Sequence, residues 1–285
     1  MPFCIIPKTF KIIAYVENKR MEFKELNIAE AILVTLIYCV FTIFVYVATV
    51  ISQNIISISL IVVMFFVVIN MYNSYIIKSN KESNVVRPTI KVYLRNIAFV
   101  IVLFSGYLLT IYSLVFPLIK VLKIYNPLIG VFNKSAIQAS LFLLALVFIV
   151  PIIEEFVFRG VILGGLLKKY SSRTAIIVSS ILFGSFHLNI FQFIIGFCLG
   201  LLIGYVYIKT HSICLCMLIH VLNDTLSSLP NYYYHEYAQL VGFNIVNVAL
   251  FTVIGSIIIF VGFKGLISNV SSSKMHKNIT MPFPK

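Results

Sequence analysis

Charged residues are scarce in this chain: Asp, Glu, Lys and Arg together make up 11% of its 285 residues. A soluble domain usually carries about 25% charged residues, so the chain lacks the polar surface that water requires. Apolar residues reach 60%, which predicts that lipid surrounds most of the protein. The scarcity of charge therefore excludes an ordinary water-soluble domain and favours an integral membrane protein.

Paired cysteines and metal-binding signatures are also missing. The five cysteines are odd in number and include no CxxC pair, so neither a disulfide framework nor a thiolate metal site is indicated. There is no HExxH sequence, the spacing with which many proteases bind zinc. Tryptophan is absent while Ile, Asn, Lys, Phe and Tyr are abundant, a bias that is typical of an AT-rich genome and favours a bacterial cell membrane as the location.

Long runs without charge predict an all-α, polytopic bundle of about eight membrane-spanning helices, since a span needs about 20 apolar residues. The run 135–167 is about 50 Å long as a single helix, so we expect it to tilt or to break at Pro151. Asn189 is the only polar break between two of the runs, which predicts a helical hairpin there. The predicted spans are 31–52, 55–77, 96–119, 135–167, 174–189, 190–208, 213–229 and 243–263.

The basic residues predict the orientation of these spans. Eighteen of the 22 Lys and Arg residues lie on one side of the scheme, in the N-terminal segment, three connections and the C-terminal tail. Lys120, Lys123 and Lys134 lie on the other side. Cytosolic loops of membrane proteins carry the excess of Lys and Arg, so both termini are predicted to be cytosolic. The net charge of +13 is thus a topology signal, and no nucleic-acid partner is expected.

The spans divide the chain into five segments without a separate soluble domain. They are a cytosolic N-terminal segment (1–30), accessory transmembrane helices (31–134), a transmembrane core (135–229), a final loop and helix (230–263) and a cytosolic tail (264–285).

A few ionisable residues interrupt the apolar runs. Each costs about 2.5–3.5 kcal/mol at the centre of a span on insertion scales, so each is a functional hypothesis. At about 1.5 Å per residue, the members of this set that lie in different helices are about 16–22 Å from the nearest cytosolic charge. Their similar depth predicts that they converge on one site. The residues are Glu154, Glu155, Arg159, His187, His220 and Asp224.

Local spacing assigns different surroundings to the two carboxylates. Glu155 and Arg159 are four residues apart, so they share a helix face and are expected to form a structural ion pair. Glu154 is turned about 100° away from Glu155 on an α-helix and stays available. A carboxylate of this kind suits a general base that activates water. An imidazole on a neighbouring helix would share that water, and a second imidazole would stabilise an oxyanion.

Three motifs at these residues resemble the CPBP family of intramembrane proteases. Members of this family are related to type II CAAX prenyl endopeptidases and to bacteriocin-processing or immunity proteins. The segment 151–160, PIIEEFVFRG, resembles the family's EExxxR motif, 183–187, FGSFH, its FxxxH motif, and 220–224, HVLND, its HxxxN/D motif. They occur in the family's order over residues 135–229.

The resemblance implies a membrane-embedded cavity and water-mediated hydrolysis of a peptide bond. In this reading Glu154 activates the water with help from His187, and His220 and Asp224 occupy the oxyanion side. Glu155, Arg159 and Phe183 hold the shape of the site. An ionised Asp224 cannot donate a hydrogen bond where family members have Asn, so it is expected to orient His220 unless it is protonated in this apolar setting. Asn223, three residues after His220, is an alternative donor.

Two questions stay open at this point. The site is expected to work without a cofactor, but Glu154, His187 and His220 would form a two-His, one-carboxylate set if zinc were bound. The substrate is expected to be a membrane-embedded or membrane-proximal peptide or protein. The alternative function is a non-catalytic immunity or binding protein of the same fold, and a transporter is disfavoured because repeated broken helices are lacking.

Overall fold

The computed structural model describes residues 22–52, 76–77, 90–121, 145–228 and 244–275. These residues form seven helical stretches and one short antiparallel strand pair, Glu22–Phe23 (β1) with Ile76–Ile77 (β2). The helices are α1 Ile28–Ser52, α2 Ile90–Val121, α3 residues 145–166, α4 Ser172–Phe186, α5 Ile190–Thr210, α6 Ile213–Ser228 and α7 Ile245–Met275.

Side-chain caps fix where three of these helices begin. Asn27 and Glu30 form a reciprocal capping box at the start of α1, since each side chain accepts the backbone N–H of the other, at 2.9 and 2.8 Å. Ser171 accepts the backbone N–H of Thr174 in the first turn of α4. The side chain of Asn189 accepts the N–H groups of the first residues of α5. These polar residues therefore mark helix starts within otherwise apolar sequence.

Helix α3 changes its winding twice around the paired glutamates. It is a π-helix over Ala145–Ile149 and again over Phe156–Leu163, with an α-helical turn, Val150–Glu155, in between. Of the tilt or break predicted at Pro151, the break does not occur: the described part of α3 stays helical through the proline. Proline lacks the N–H that an α-helix requires in its interior, and here it lies in the first turn after the π-helical segment, where that bond is not needed.

The predicted hairpin at Asn189 is confirmed by α4 and α5, which pack along each other after the connection 187–189. Glycines bring the two backbones together. A Cβ atom at Gly184 would lie 2.7 Å from the carbonyl oxygen of Phe193, and one at Gly200 would lie 3.0 Å from the Cα of Ser180. Small residues at helix interfaces permit this close approach in membrane bundles.

Helices α2 and α7 form a second close pair. A Cβ atom at Gly106 would lie 2.7 Å from the carbonyl oxygen of Gly255. Towards the other end of the pair, the amide of Asn269 donates to the side chain of Asn96 at 2.7 Å and to the Val92 carbonyl at 3.1 Å. One face of α7 contacts α2, and its other face carries exposed apolar side chains such as Val253 and Phe260.

The prediction of a helical membrane protein agrees with this architecture. Among the described residues, three helical segments are long and apolar enough to cross a membrane: Ile90–Leu114, Ile190–Thr210 and Ile245–Ser271. Shorter apolar helical segments are Ile28–Phe44, Ser172–Phe186 and Ile213–Ser227.

Several predicted boundaries differ from the structure; α2, for example, begins at Ile90 rather than at residue 96. The predicted span 55–77 lies outside the described residues except for Ile76 and Ile77, which are paired strand residues rather than the end of a helix. β-Branched isoleucines fit such a pairing well. Helix α7 continues beyond its predicted end at residue 263 to Met275, because the more polar residues that follow are compatible with a helix.

Candidate active site

Three helices supply the polar residues that the sequence singled out. Glu154 and Glu155 end the α-helical turn of α3, and Arg159 follows in its second π-helical segment. Phe183 lies near the end of α4 and His187 directly follows that helix. His220, Asn223 and Asp224 lie on α6. The predicted residues thus come from α3, α4 and α6.

Glu155 and Arg159 form the ion pair that their spacing predicts. Nη1 of Arg159 lies 3.0 Å from Oε1 of Glu155, and their side chains are 1% and 0% exposed. The guanidinium also lies over the ring of Phe183, 4.6 Å from its centroid, as in a cation–π contact. Neither partner is accessible to a substrate, so both fit the predicted structural role.

His220 lies among three carboxylates. Its Nδ1 atom is 2.7 Å from Oε1 of Glu155, which is a short hydrogen bond. Its Nε2 atom is 3.6 Å from Oε2 of Glu154 and 3.8 Å from Oδ2 of Asp224. One imidazole therefore joins both glutamates of α3 to α6.

The contact between His220 and Glu155 was missed by the sequence reasoning. Helical spacing relates Glu155 to Arg159 on the same helix, and it carries no information on a residue of α6. The only available signal was the equal depth of the polar residues, which predicts a common site without assigning partners. The structure adds that Glu155 shares one oxygen between Arg159 and His220.

Phe183 connects the two histidines. Its ring meets His187 edge-on at 5.5 Å between centroids and His220 at 5.4 Å. It is 1% exposed and also packs against Phe158 of α3 at 5.0 Å. The imidazoles are thereby held on either side of one buried ring, with no direct hydrogen bond between them among the described residues.

His187 lies in a tightly specified connection. The next residue, Leu188, has a left-handed backbone with φ of 52°, which is uncommon for a residue other than glycine. Asn189 then caps α5, and the His187 backbone N–H donates to the Gly184 carbonyl at 3.3 Å. Backbone strain of this kind persists where the surroundings fix it, often at functional sites. The connection thus places the half-buried imidazole beside Gly196 of α5.

Asp224 and Asn223 lie at the less buried edge of the cluster. The amide of Asn223 donates to Oδ1 of Asp224 at 3.1 Å, and the Asp224 side chain is 30% exposed. The 3.8 Å from Asp224 to His220 exceeds hydrogen-bond length. Glu155, rather than Asp224, therefore orients the His220 ring in this structure.

The environment of the cluster is closed on one side and open on the other. Glu154, Glu155, Arg159 and His220 are all buried, with Glu154 4% exposed. His187 and Asp224 are only partly buried. Glu154 and Nε2 of His220 are therefore closest to solvent or lipid on the side formed by His187 and Asp224.

The zinc set suggested by the sequence has no counterpart in this geometry. Within the described part of the chain, no three His, Cys, Asp or Glu side chains are grouped so that they would hold a metal ion. His220 directs Nδ1 to Glu155, and His187 lies across the Phe183 ring from it. The predicted set of Glu154, His187 and His220 is therefore not arranged as a metal site here.

This part of the chain is similar to a known protein family. The family model described as type II CAAX prenyl endopeptidase Rce1-like matches residues 136–226. The comparisons with curated proteins and with solved structures found no match. The matched range covers α3 to α6, with all three motifs and every residue of the cluster. The match and the apolar helices together indicate an integral membrane protein, and the resemblance seen in the three motifs is confirmed: residues 136–226, less than half of the chain, are similar to the Rce1-like family.

Proposed function

We propose that this protein is an intramembrane endopeptidase in which Glu154 activates a water molecule to hydrolyse a peptide bond. The observation that carries the proposal is the buried pair of Glu154 and His220, with Oε2 and Nε2 3.6 Å apart. The pair lies next to the less buried edge formed by His187 and Asp224, within the residues that match the Rce1-like family. A separation of this size leaves both groups free to interact with a water or a carbonyl oxygen.

The chemistry follows from the positions of the groups. Glu154 takes a proton from water, and the water oxygen attacks the carbonyl carbon of the scissile peptide bond. The carbonyl oxygen becomes the oxyanion. The C–N bond then breaks as the proton passes from Glu154 to the leaving nitrogen. His187, at the open edge and without a hydrogen bond to its ring from the described residues, would assist by orienting the water.

His220 is suited to the oxyanion side. Glu155 is paired with Arg159 and accepts the Nδ1–H of His220, which fixes the plane of the ring. In its doubly protonated form the imidazole presents Nε2–H to the developing oxyanion. Asp224 and Asn223 complete this side, where the amide of Asn223 is the available donor and the Asp224 carboxylate accepts from it.

The substrate class follows from the membrane setting. We infer a multi-pass protein with both termini in the cytosol, since 18 of its 22 basic residues lie on one side of the eight-span scheme. His187 follows the end of α4 that is distant from Lys168, Lys169 and Arg173. A membrane-embedded or exported peptide that approaches from the non-cytosolic half of the bilayer would meet the open edge first.

The first test compares wild type with Glu154→Gln in the native host at matched expression. Membrane and secreted peptides are examined by mass spectrometry that identifies chain termini. Glu154→Gln keeps the shape of the side chain and removes its basicity, so new C-termini are expected with wild type and not with the variant. Glu25→Gln is the matched control, because Glu25 is 59% exposed and pairs only loosely with Lys169 at 3.6 Å.

Identical termini for wild type and Glu154→Gln, together with a phenotype of the deletion strain, would remove the protease proposal. That outcome would favour the non-catalytic immunity or binding function.

A metal-free mechanism is part of the proposal. The purified protein in detergent is expected to keep its rate of cleavage after stringent chelation, because the proposed steps use only side chains of the chain. Cleavage is followed on the substrate peptide found in the first test. Loss of activity on chelation and its return with Zn²⁺ would show that zinc takes part.

A further inference from the structure

The buried ion pair of Glu155 and Arg159 leaves most of its hydrogen-bonding groups unused. Oε1 of Glu155 lies 3.0 Å from Nη1 of Arg159 and 2.7 Å from Nδ1 of His220. The N–H groups of Nη1 are not aligned with Oε1 for a hydrogen bond. Oε2 of Glu155 has no hydrogen-bond partner among the described residues, and the same holds for Nε and Nη2 of Arg159. One carboxylate oxygen and the N–H groups of the guanidinium are therefore unpaired.

The surroundings of the pair do not supply the missing partner. The two side chains are 0% and 1% exposed, so bulk solvent does not reach them. The Phe183 ring, 4.6 Å from the guanidinium carbon, attracts the positive charge but offers no lone pair to the N–H groups. Nearly all buried polar groups in folded proteins are paired, either with a protein atom or with an ordered water. The unpaired atoms therefore point to a bound partner in the working protein.

The chemistry of the unpaired atoms decides what this partner is. Oε2 of Glu155 needs a donor, whereas Nε and Nη2 of Arg159 need an acceptor. An anion would suit the guanidinium but would be repelled by the carboxylate, and a cation would be repelled by the guanidinium. A water molecule both donates and accepts, and the three atoms match the roughly three hydrogen bonds that a buried water makes. Because Oε2 shares its carbon with Oε1, it is also near the guanidinium, as a bridging water requires.

We propose that the Glu155–Arg159 pair binds a buried water, which donates to Oε2 of Glu155 and accepts from the N–H groups of Arg159. This water is distinct from the one that Glu154 would activate, and it is not consumed by a reaction. It fixes the rotation of the Glu155 carboxylate and so directs Oε1 to His220. The site is independent of peptidase activity and goes beyond the proposed function.

The test uses the wild-type full-length protein in detergent and detects contact between water and the Arg159 Nε–H group by NMR. Phe158–Arg159 is the only Phe–Arg dipeptide in the sequence. Labelling Phe at its carbonyl carbon with ¹³C and Arg with ¹³C and ¹⁵N therefore identifies the Arg159 amide without any substitution. Through-bond transfer within the residue then identifies its Nε–H signal.

Dipolar transfer from water is expected at the Arg159 Nε–H group, in rotating-frame spectra whose sign distinguishes it from chemical exchange. Arg173 is the matched control, because it is exposed on α4 and its Nε–H group is expected to exchange with bulk water. With ¹⁵N-labelled Val added, the backbone N–H of Val206, which is 0% exposed on α5, is expected to show neither signal. An Arg159 Nε–H group without any contact to water would overturn the proposal.

Titration with chloride at constant ionic strength distinguishes an anion from water. The Arg159 Nε–H signal is expected to keep its position throughout the titration. A shift that saturates with chloride, without dipolar transfer from water, would assign the site to an anion and overturn the proposed water.

The orienting role of the water is tested with Arg159→Lys, which keeps the positive charge and removes Nε and Nη2. The Nδ1–H resonance of His220 is identified as the one that disappears in His220→Asn. It is expected to shift in Arg159→Lys and to stay in place in Arg173→Lys, the exposed control. An unchanged resonance in folded Arg159→Lys would overturn the orienting role. Thermal unfolding in detergent checks the fold, and the wild-type spectra decide on the water even where Arg159→Lys does not fold.

Discussion

At the scale of single residues, the site depends on how three charges share one buried space. Glu155 is fully buried and contacts both Arg159, at 3.0 Å, and His220, at 2.7 Å. An isolated buried charge is strongly unfavourable, whereas a paired one is tolerated. The two contacts keep Glu155 neutralised and leave Glu154 as the carboxylate that is not committed to a cation.

Removing one member of the buried pair is expected to destabilise the protein strongly. Arg159→Met leaves Glu155 with a single partner, and we expect a loss of about 3–5 kcal/mol in the free energy of unfolding. Unfolding by denaturant in detergent measures it. Lys169→Met is the matched control, since its pair with Glu25 is exposed and such pairs contribute about 0–1 kcal/mol.

The double variant Glu155→Gln with Arg159→Met tests the cause. It is expected to be more stable than Arg159→Met alone, because no uncompensated carboxylate remains in the core. A double variant that is less stable would contradict the assignment of the loss to the buried charge.

Sequence reasoning succeeded where partners lie on one helix and stopped where they lie on different helices. The Glu155–Arg159 pair follows from spacing alone. The Glu155–His220 contact depends on how α3 packs on α6. The contacts of the Tyr38 ring with Phe158 and Phe186 depend on how α1 packs on α3 and α4. No local pattern encodes these. The roles of Glu154, His187, His220 and Asp224 remain predictions, and the structure shows only where their side chains lie.

At the scale of helices, the close approach of α4 and α5 places His187. A Cβ atom at Gly184 would meet a backbone oxygen of α5 at 2.7 Å, and one at Gly196 would lie 3.3 Å from the His187 ring. The hairpin therefore depends on glycine at the turns nearest the site.

We predict that Gly184→Ala separates α4 from α5 and disturbs the site. The added methyl meets backbone, which cannot turn aside as a side chain does, so a loss of about 1–3 kcal/mol in stability is expected, the usual range for overpacking, together with lower cleavage. Gly204→Ala is the matched control on α5, since its methyl would lie 3.3 Å from the Ile176 side chain, which is able to adjust. Thermal unfolding and product termini are measured for both variants. Equal stability of the two would show that backbone contact at Gly184 does not limit the packing.

The apolar runs predicted the described helices well, but they did not predict how α3 is wound. The length of an apolar run predicts a helix, but it does not show whether the backbone hydrogen bonds follow the α-helical or the π-helical pattern. The consequence is visible at Phe158, whose carbonyl lies in the π-helical segment and accepts from the Ser179 hydroxyl of α4 at 3.4 Å. π-Helical turns within longer helices often occur at functional sites, as they do on both sides of Glu154 and Glu155.

At the scale of the whole molecule, the orientation of the core is open to a direct experiment. Helices α4, α5 and α6 follow one another through short connections, so we expect their ends to alternate between the two membrane faces. Lys169 and Ser227 then lie on opposite faces, and both are exposed. In a cysteine-free background, Ser227→Cys is expected to react with a membrane-impermeant maleimide in intact cells. Lys169→Cys is expected to react only after permeabilisation.

The reverse labelling pattern would place the basic connections outside and reverse the predicted topology. Equal labelling of the two positions would contradict a membrane-crossing path between them.

The distance along the chain between the charged residues of α3 and their partner on α6 has a consequence for biogenesis. Arg159 emerges from the ribosome almost together with Glu155, so these two neutralise each other as soon as α3 forms. Glu154 has to wait for His220, and at about 5–20 residues per second that delay is several seconds. During this interval α3 presents a solitary carboxylate to the insertion machinery. The charged cluster of α3 is therefore completed only after α6 has been synthesised.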